Sequence, residues 1–548
     1  MSHARRVPYA TSEATAATYA AVAATREPIV WAHSHSFAHQ WRARSRWSRD
    51  ASALGAVVPW VMARLDERGD GEFVLTAPQR GGSSALLHAG PPWEPLQTST
   101  RNVSVAEILS DGAAAQRFYY SGSLHHDAAT AHWHADALTA DLAPLEPLAL
   151  LDVPPLLPDD PIQPPAQAGA SARPINRTSM RLWLTSGGVL ARTHYDKSHN
   201  VLCVLHGSKQ IVLWPPAELP SLHLYPAVHA AHRQSQVSSL RHATLHAALD
   251  ARTTDTVHID TSPTLSLPGV VGDFHLLDAA ALLGRGDARS AELTEGTCMY
   301  IPPYFPRSHG MPSSPYLPWC HVAGSCMYIP PYWAHLVYSP SASVSLAAFS
   351  TSWEQARWAR SGWMAAPLGR FQSGGLCTKA RGAALLVAAF VHSCAPLLVA
   401  DGRINGRTPR GFLATLYAAR YAPLYGVLHD DAPLGAAVGE HSSSASLAAC
   451  LAASADHPLP PDAPERDAAL RGRVRAFGAR MAALLTDADP AAGGRRYERG
   501  VALELAADYV EEIAGWACGA TGAWRLLRLL AQTEETDVGH VVVVERRP

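Results

Sequence analysis

The sequence predicts a mostly β core with flanking helices and an α-helical C-terminal region. Two observations carry that class. Val201–Leu205 and Gln210–Trp214 are apolar runs that read as strands, and His206-Gly207-Ser208 between them is a hairpin signal. Far downstream, Leu470, Val474, Phe477, Met481 and Leu484 recur at intervals of three and four, the spacing of an amphipathic helix. At 548 residues the chain can bury a large core and hold more than one domain.

Bulk properties exclude several classes. The formal net charge is −2, so nothing favours a nucleic-acid surface or a strongly charged partner. The eight cysteines are scattered without a CxxC pair. Neither a disulfide framework nor a structural zinc site is expected, and reduced thiols point to an intracellular chain, cytoplasmic or nuclear. Arg5, Arg6 and a Ser/Thr/Ala-rich run open the sequence, but Glu13 interrupts it and no apolar core follows. A secretory signal is not expected, whereas organellar targeting stays open. The longest uncharged run, Gly382–Ala400, approaches the ~20 residues of a membrane span. His392, Ser393 and Pro396 inside it favour a buried helix broken at the proline, and no membrane association is expected.

Taken in order, residues 1–27 read as a poorly ordered leader. Glu72–Leu75 reads as extended, and Val103–Ile108 leads to Phe118-Tyr119-Tyr120. Pro154–Pro174 is a Pro/Ala/Asp-rich connection. Arg181–Leu184 reads as a strand whose Trp183 packs inside. Arg241–Glu295 carries no recognisable motif and reads as an insertion. Gly296-Thr297-Cys298-Met299-Tyr300-Ile301-Pro302-Pro303-Tyr304-Phe305 nearly recurs from Gly324 to Trp333. One internal copy is no solenoid. In register, the first copy has Arg307 where the second has His335, so the second belongs to the core. The first is either a surface loop from a duplicated exon or a mis-spliced gene model. Val501–Trp516 and Trp524–Leu530 read as helices, with a linker between about Glu440 and Pro464.

The chemistry concentrates in Thr193-His194-Tyr195-Asp196. His194 and Asp196 are two apart, so on a strand both project from one face. An imidazole beside a carboxylate is two thirds of the facial triad that holds Fe(II) with positions left open. A hairpin would carry Lys209 back beside the pair, a cation suited to an acidic cosubstrate. The third ligand should be a distant histidine on a neighbouring strand, and His335 in CMYIPPYWAHLVY qualifies.

These motifs occur in a telling order: His194-Tyr195-Asp196, Asn200, Gly207-Ser208-Lys209, Pro215-Pro216, Leu224-Tyr225-Pro226, Arg233-Gln234-Ser235-Gln236-Val237 and Tyr328–His335. The ensemble resembles the JmjC domains of the cupin superfamily, Fe(II)- and 2-oxoglutarate-dependent oxygenases. It is most like the small JmjC hydroxylases, such as the asparaginyl hydroxylase of hypoxia-inducible factor. The resemblance implies a double-stranded β-helix (cupin or jelly-roll fold). It divides the chain into an N-terminal part of the cupin region (28–155), a JmjC core (156–355, with insertions and the partial repeat in 241–323) and a helical region (356–548).

It further implies that His194, Asp196 and His335 hold Fe(II). Lys209 pairs with the far carboxylate of 2-oxoglutarate, and Asn200 and Thr193 serve the cosubstrate or the metal surroundings. Tyr119 either hydrogen-bonds the cosubstrate or is a core tyrosine. Ala191 and Ala348 depart from the family pattern, at positions where a cosubstrate-binding Thr and Asn are common. The implied activity is hydroxylation of a protein side chain or an RNA base. Lysine demethylation and a catalytically silent cupin scaffold stand as alternatives. C-terminal helices in such proteins often pair subunits, so a homodimer is one reading of this region, and a helical lid or a separate partner-binding module are equal alternatives.

Overall fold

A computed structural model of the chain describes residues 5–8, 25–31, 41–47, 52–66, 71–73, 98–110, 116–123, 141, 179–229, 231–235, 288–294, 326–350, 352–361, 371, 374–394, 409–421, 446–451, 464–486, 496–532, 534–536 and 540–542. The strands that build the core are β1 (Arg5–Arg6), β2 (Ile29–Trp31), β3 (Trp60–Asp66), β4 (Glu72–Phe73), β5 (Thr98–Ser104), β6 (Phe118–Ser123) and β7 (Ser179–Thr185). They continue as β8 (Val189–Tyr195), β9 (His199–His206), β10 (Ser208–Trp214), β11 (Arg289–Thr294), β12 (Cys326–Ile329), β13 (Ala334–Ser339) and β14 (Ser343–Ser350). One sheet has the order β1-β11-β10-β13-β8-β4, the other β2-β12-β9-β14-β7-β6-β3-β5.

The two sheets face each other, and strand alternation shows which residues lie between them. Leu202 and Val204 of β9, Ile211 and Leu213 of β10, Met327 and Ile329 of β12 and Ala347 of β14 form one buried cluster. The alternate residues point outward. Val201, Cys203, Leu205, Val344 and Leu346 pack with Trp47, Leu54 and Ile108 from the short helices α1 (Arg42–Trp47), α2 (Ser52–Val57) and α3 (Val105–Leu109). Ser104 caps α3, its Oγ accepting the Glu107 N–H at 3.1 Å. On the opposite side Val212, Trp214, Leu336 and Tyr338 meet the C-terminal helices. These include α4 (Trp353–Ser361), α5 (Leu376–Ser393), α6 (Pro409–Leu416), α7 (Pro464–Thr486) and α8 (Arg499–Gln532). The mostly β core with helical flanks is therefore as expected.

Several expectations change. β9 and β10 are not a hairpin, because each pairs only within its own sheet: β9 with β12 and β14, β10 with β11 and β13. Both strands are apolar on both faces, so each needs a cover on either side, and the chain crosses between sheets at Gly207. That residue has φ +72°, and a Cβ there would stand 2.0 Å from the Ala342 carbonyl oxygen. The supposed insertion supplies β11, which pairs with β10 along its length. Part of the expected leader is built in as well: β1 pairs with β11 and Val7 is buried. Arg26 reaches Glu354 at 2.9 Å, and its carbonyl accepts the Trp333 indole N–H.

The cysteine expectation is overturned. Cys203 and Cys326 oppose each other across β9 and β12 and form a disulfide, and Cys377 and Cys450 form another. Partners 123 and 73 residues apart leave no trace in sequence spacing. The argument from reduced thiols to an intracellular chain therefore falls away.

The helical region follows its periodicity. Leu470, Val474, Phe477 and Met481 of α7 are buried, and Leu484 is partly so. The two helices expected beyond Val501 form one element with a single non-helical step at Gly519. The run Gly382–Ala400 lies mostly in buried α5, which ends at Ser393 ahead of the proline. No helix among the described residues is long and apolar enough to cross a membrane. Apolar residues of these helices pack against this chain's own sheet. The first repeat copy and Pro154–Pro174 lie outside the described residues.

The crossing at Gly207 gives a direct test. Gly207→Ala must adopt a left-handed backbone, costing ~1–2 kcal/mol before the clash with Ala342 is relieved. Thermal unfolding should show a clear drop in midpoint, larger than for Gly472→Ala in α7, where a Cβ meets nothing within 4 Å.

Candidate metal centre

The site begins with a bulge. β8 and β13 pair Ala334 with Tyr195 and His335 with His194, then resume at Val337 with Ala191. Two residues of β8, Arg192 and Thr193, thus oppose Leu336 alone. The extra residue lets Ala191 and His194, three apart, share the inner face. His335, Val337 and Ser339 alternate inward on β13. Lys209 does so on β10, in parity with Ile211 and Leu213 of the inner cluster.

His194, Asp196 and His335 come together: one ligand atom from each lies within 4.8 Å of the others. His335 Nε2 is 3.7 Å from Asp196 Oδ2. Each imidazole makes the same second contact. His194 Nδ1 bonds the Arg192 carbonyl at 2.7 Å, and His335 Nδ1 bonds the Trp333 carbonyl at 3.0 Å. A carbonyl can only accept, so each Nδ1 carries a proton, and the neutral form of either ring has its lone pair on Nε2. Burial, and then the neighbouring His335, push His194 down to about 4, against the pull of Asp196. The ring is neutral at physiological pH, the state in which imidazole binds metal. Burial alone would raise the Asp196 carboxyl. His335, His194, Arg233 and the Asn200 amide together hold it below its ordinary value.

Asn200 donates from Nδ2 to Asp196 Oδ2 at 3.2 Å, while its Oδ1 is buried with no partner among the described residues. The turn before His335 closes the other side. Trp333 N–H bonds the Pro330 carbonyl, and Tyr332 adopts φ +63°. Pro331 followed by a residue with positive φ is a type II turn, normally completed by glycine. Here the strained residue is tyrosine, and its N–H donates to the Asp196 carbonyl at 2.7 Å.

Lys209 is buried, and among the described residues its ammonium has one hydrogen-bond partner, Ser339 Oγ at 2.9 Å. Burial pushes it down to about 7. An ammonium carries three donors, so this one has capacity for an acidic ligand. Tyr119 is buried, stacked on Phe73 at 5.3 Å and edge-on to Trp183 at 5.6 Å. Burial raises its phenol, Arg64 opposes that and Asp196 adds to it, so it stays protonated. Thr193 does not join the group. It lies in the bulge on the outer face with Tyr195, and its carbonyl accepts the Ser235 N–H. Ala348 packs in the outer cluster, whereas Ala347 and Phe349 line the interior. Only Ala191, in the cluster with Tyr119 and Phe73, is a departure inside the barrel.

Residues 15–353, more than half of the chain, match the family described as cupin-like domain. The chain belongs to that family. Two relatives of this cupin carry Jumonji names, which bears out the resemblance to JmjC proteins. The Lysine-specific demethylase JMJ31 of Arabidopsis thaliana is 43% identical over 60 residues, 11% of each chain. Jumonji C domain-containing protein 5 of Drosophila melanogaster is 41% identical over 44 residues, 8% of this chain and 11% of the relative. The matches span about a tenth of these relatives' length.

Sequence reading missed three participants. Ser339 lies four residues beyond His335, and strand parity alone would have placed it inside. Arg233, whose charge acts on His194 and Asp196, sits in a quoted motif without an assigned role. The Tyr332 amide could not be found, because a strained tyrosine has no sequence signature.

Two imidazoles and one carboxylate are the donor set of a divalent transition metal such as Fe(II). Asp196→Ala and His335→Ala should each abolish stoichiometric Mn(II) uptake in equilibrium dialysis. Asn200→Ala, which frees the carboxylate to rotate, should weaken it roughly 10-fold.

Proposed function

We propose that this cupin is an Fe(II)- and 2-oxoglutarate-dependent oxygenase that hydroxylates a side chain of a protein or peptide. The observation that carries the reading is the pairing of a His-Asp-His group with a buried lysine that has one hydrogen-bond partner among the described residues. His194, Asp196 and His335 would hold Fe(II), and Lys209 would take the distal carboxylate of 2-oxoglutarate. When bound, iron and cosubstrate with O2 supply the oxidising power for an unactivated C–H bond, the cosubstrate leaving as succinate and CO2.

The chain's own residues do the positioning. Asn200 and the Tyr332 amide fix Asp196 from its side chain and its backbone. The Nδ1 contacts lock both imidazoles in one tautomer and orientation. Tyr119 is kept protonated by burial, so its hydroxyl keeps a proton to donate to an acceptor near Asp196. The apolar residues between the sheets exclude water, which strengthens the Lys209 charge toward a carboxylate.

Protein or peptide substrates are supported by a relative whose name is a lysine-specific demethylase. That name also supports a second reading, N-demethylation, in which the same oxidation falls on an N-methyl carbon. The order of motifs favours hydroxylation. Product mass separates the two, by gain of an oxygen or loss of a methyl group. Ferrous iron suits a reducing intracellular compartment.

Purified protein with Fe(II), ascorbate and O2 should convert 2-oxoglutarate to succinate, and Asp196→Ala should not. A folded, metal-loaded wild type without turnover, even with candidate peptides, would leave the silent-scaffold reading. Lys209→Met should raise KM for 2-oxoglutarate roughly 10- to 100-fold, the worth of a charge-assisted bond.

The lysine also sets a pH dependence. Its free-state value is depressed to about 7, so it is charged below that pH and neutral above it. Affinity for 2-oxoglutarate should be level below pH 7 and fall by up to about tenfold per unit above it. Direct binding titrations should show that slope in wild type and lose it in Lys209→Met.

A further inference from the structure

The two residues that flank Asp196 both point away from the metal centre, and both end on the same helix. Tyr195 Oη donates to Glu504 Oε1 at 3.4 Å, and Lys197 Nζ donates to Asp508 Oδ2 at 3.2 Å. The match is one of spacing. Tyr195 ends β8 and Lys197 sits in the bend just beyond it, so both hang from one short stretch, and residues four apart on a helix are ~6.0 Å apart. Glu504 and Asp508, one turn apart on α8, therefore meet Tyr195 and Lys197 in register.

The helix is itself fixed. Arg420 is buried and bonds three carboxylates on one face of α8: Glu504, Asp508 at 3.1 Å and Glu511 at 2.6 Å. Glu511 also accepts the Ala227 N–H. Near its start, Gly500 approaches so closely that a Cβ would stand 2.0 Å from the Pro216 carbonyl oxygen. Moving α8 off the sheet would strip several buried charges of their partners at once, which is costly. Around Asp196 the chain is also tied through its carbonyl to the Tyr332 amide, and through the Lys197 carbonyl to Ser352 Oγ at 2.6 Å.

We infer that the acidic face of α8, locked by Arg420, is a positioning device that holds Asp196 in its metal-binding orientation by gripping Tyr195 and Lys197. The C-terminal helical region is then part of the metal centre, although it supplies no ligand. The inference rests on the proposed metal centre and not on the identity of the substrate. Lys197 and Asp508 act as one unit through their mutual contact, so their effects on metal affinity should not add.

The test is Co(II) titration of the full-length chain, followed by visible absorption, beside thermal unfolding of the metal-free protein. Lys197→Met, Asp508→Asn and Tyr195→Phe should each weaken Co(II) binding about tenfold, as loss of supporting contacts does at other metal sites. The Lys197→Met/Asp508→Asn double variant should be no weaker than the worse single variant. Lys197→Arg should recover most of the affinity, and metal-free melting of Lys197→Met and Tyr195→Phe should stay near wild type. Unchanged Co(II) affinity in folded variants would overturn the inference and leave the metal centre intact. So would losses that add, or losses that merely follow a fall in metal-free stability. Should Asp508→Asn fail to fold, Lys197→Met, Lys197→Arg and Tyr195→Phe decide the matter by affinity against stability. A wild type that takes up no Co(II) would sink the metal centre, and the inference with it.

Discussion

One extra residue on β8 decides what this barrel can do. Between Ala191 and His194 the strand carries Arg192 and Thr193 opposite Leu336 alone. Without that bulge, the parity set by Val189 and Ala191 would turn His194 and Asp196 to the outer face, against the C-terminal helices. His335 would then face an interior with no partner ligands. The bulge reverses parity for the last residues of β8 and leaves the packing of the first untouched. An ordinary two-residue alternation thereby becomes a three-pronged ligand set on two strands.

The rest of the architecture serves to cover both faces of the strands that carry this set. β8, β10 and β13 have the second sheet on one side and α5, α7 and α8 on the other. Their outward residues are largely apolar; beside the ligands Thr193 and Tyr195 are polar, and Tyr195 bonds a buried carboxylate. Outward charge at this level needs strong compensation. Arg420 meets three acidic partners there, and they hold its guanidinium charged well above its ordinary range in spite of burial. Such a cluster contributes little net stability compared with an apolar replacement. What it does contribute is a fixed relation between helix and strand, because any displacement exposes unpaired charge.

The sequence made some of this legible and hid the rest for identifiable reasons. His194, Asp196, His335, Asn200 and Lys209 were readable because each sits in a short motif, and the two-residue spacing of His194 and Asp196 puts them on one face. Thr193 was misjudged because a bulge shifts parity and leaves no mark in one sequence. The hairpin across Gly207 failed because a glycine between apolar runs fits a sheet-to-sheet crossing as well as a tight turn. What separates the two is tertiary: runs buried on both faces need two covers. β11 went unseen inside a long stretch without motifs, since its place is set by pairing with β10. The disulfides escaped for the same reason, their partners being neighbours in space alone.

The rival reading, a cupin that has lost its chemistry, leaned on Ala191 and Ala348. Ala348 faces the outer helices, so its identity says nothing about the interior. Ala191 removes one side chain from the wall beside Tyr119, where Phe73 packs. Against that single loss stand groups whose burial does nothing for folding. Lys209 is taken out of water with one described neutral partner, and the Asn200 oxygen is buried with none. Each such group costs about 1–3 kcal/mol or more when left unsatisfied. A scaffold would gain stability by replacing them with apolar residues of similar size. A lysine aimed into a dry barrel, an amide oxygen without a donor among the described residues and two imidazoles grouped with a carboxylate are compensated together when a metal and an acidic ligand enter. The arrangement is costly to an empty barrel and economical in a loaded one, which argues for retained chemistry.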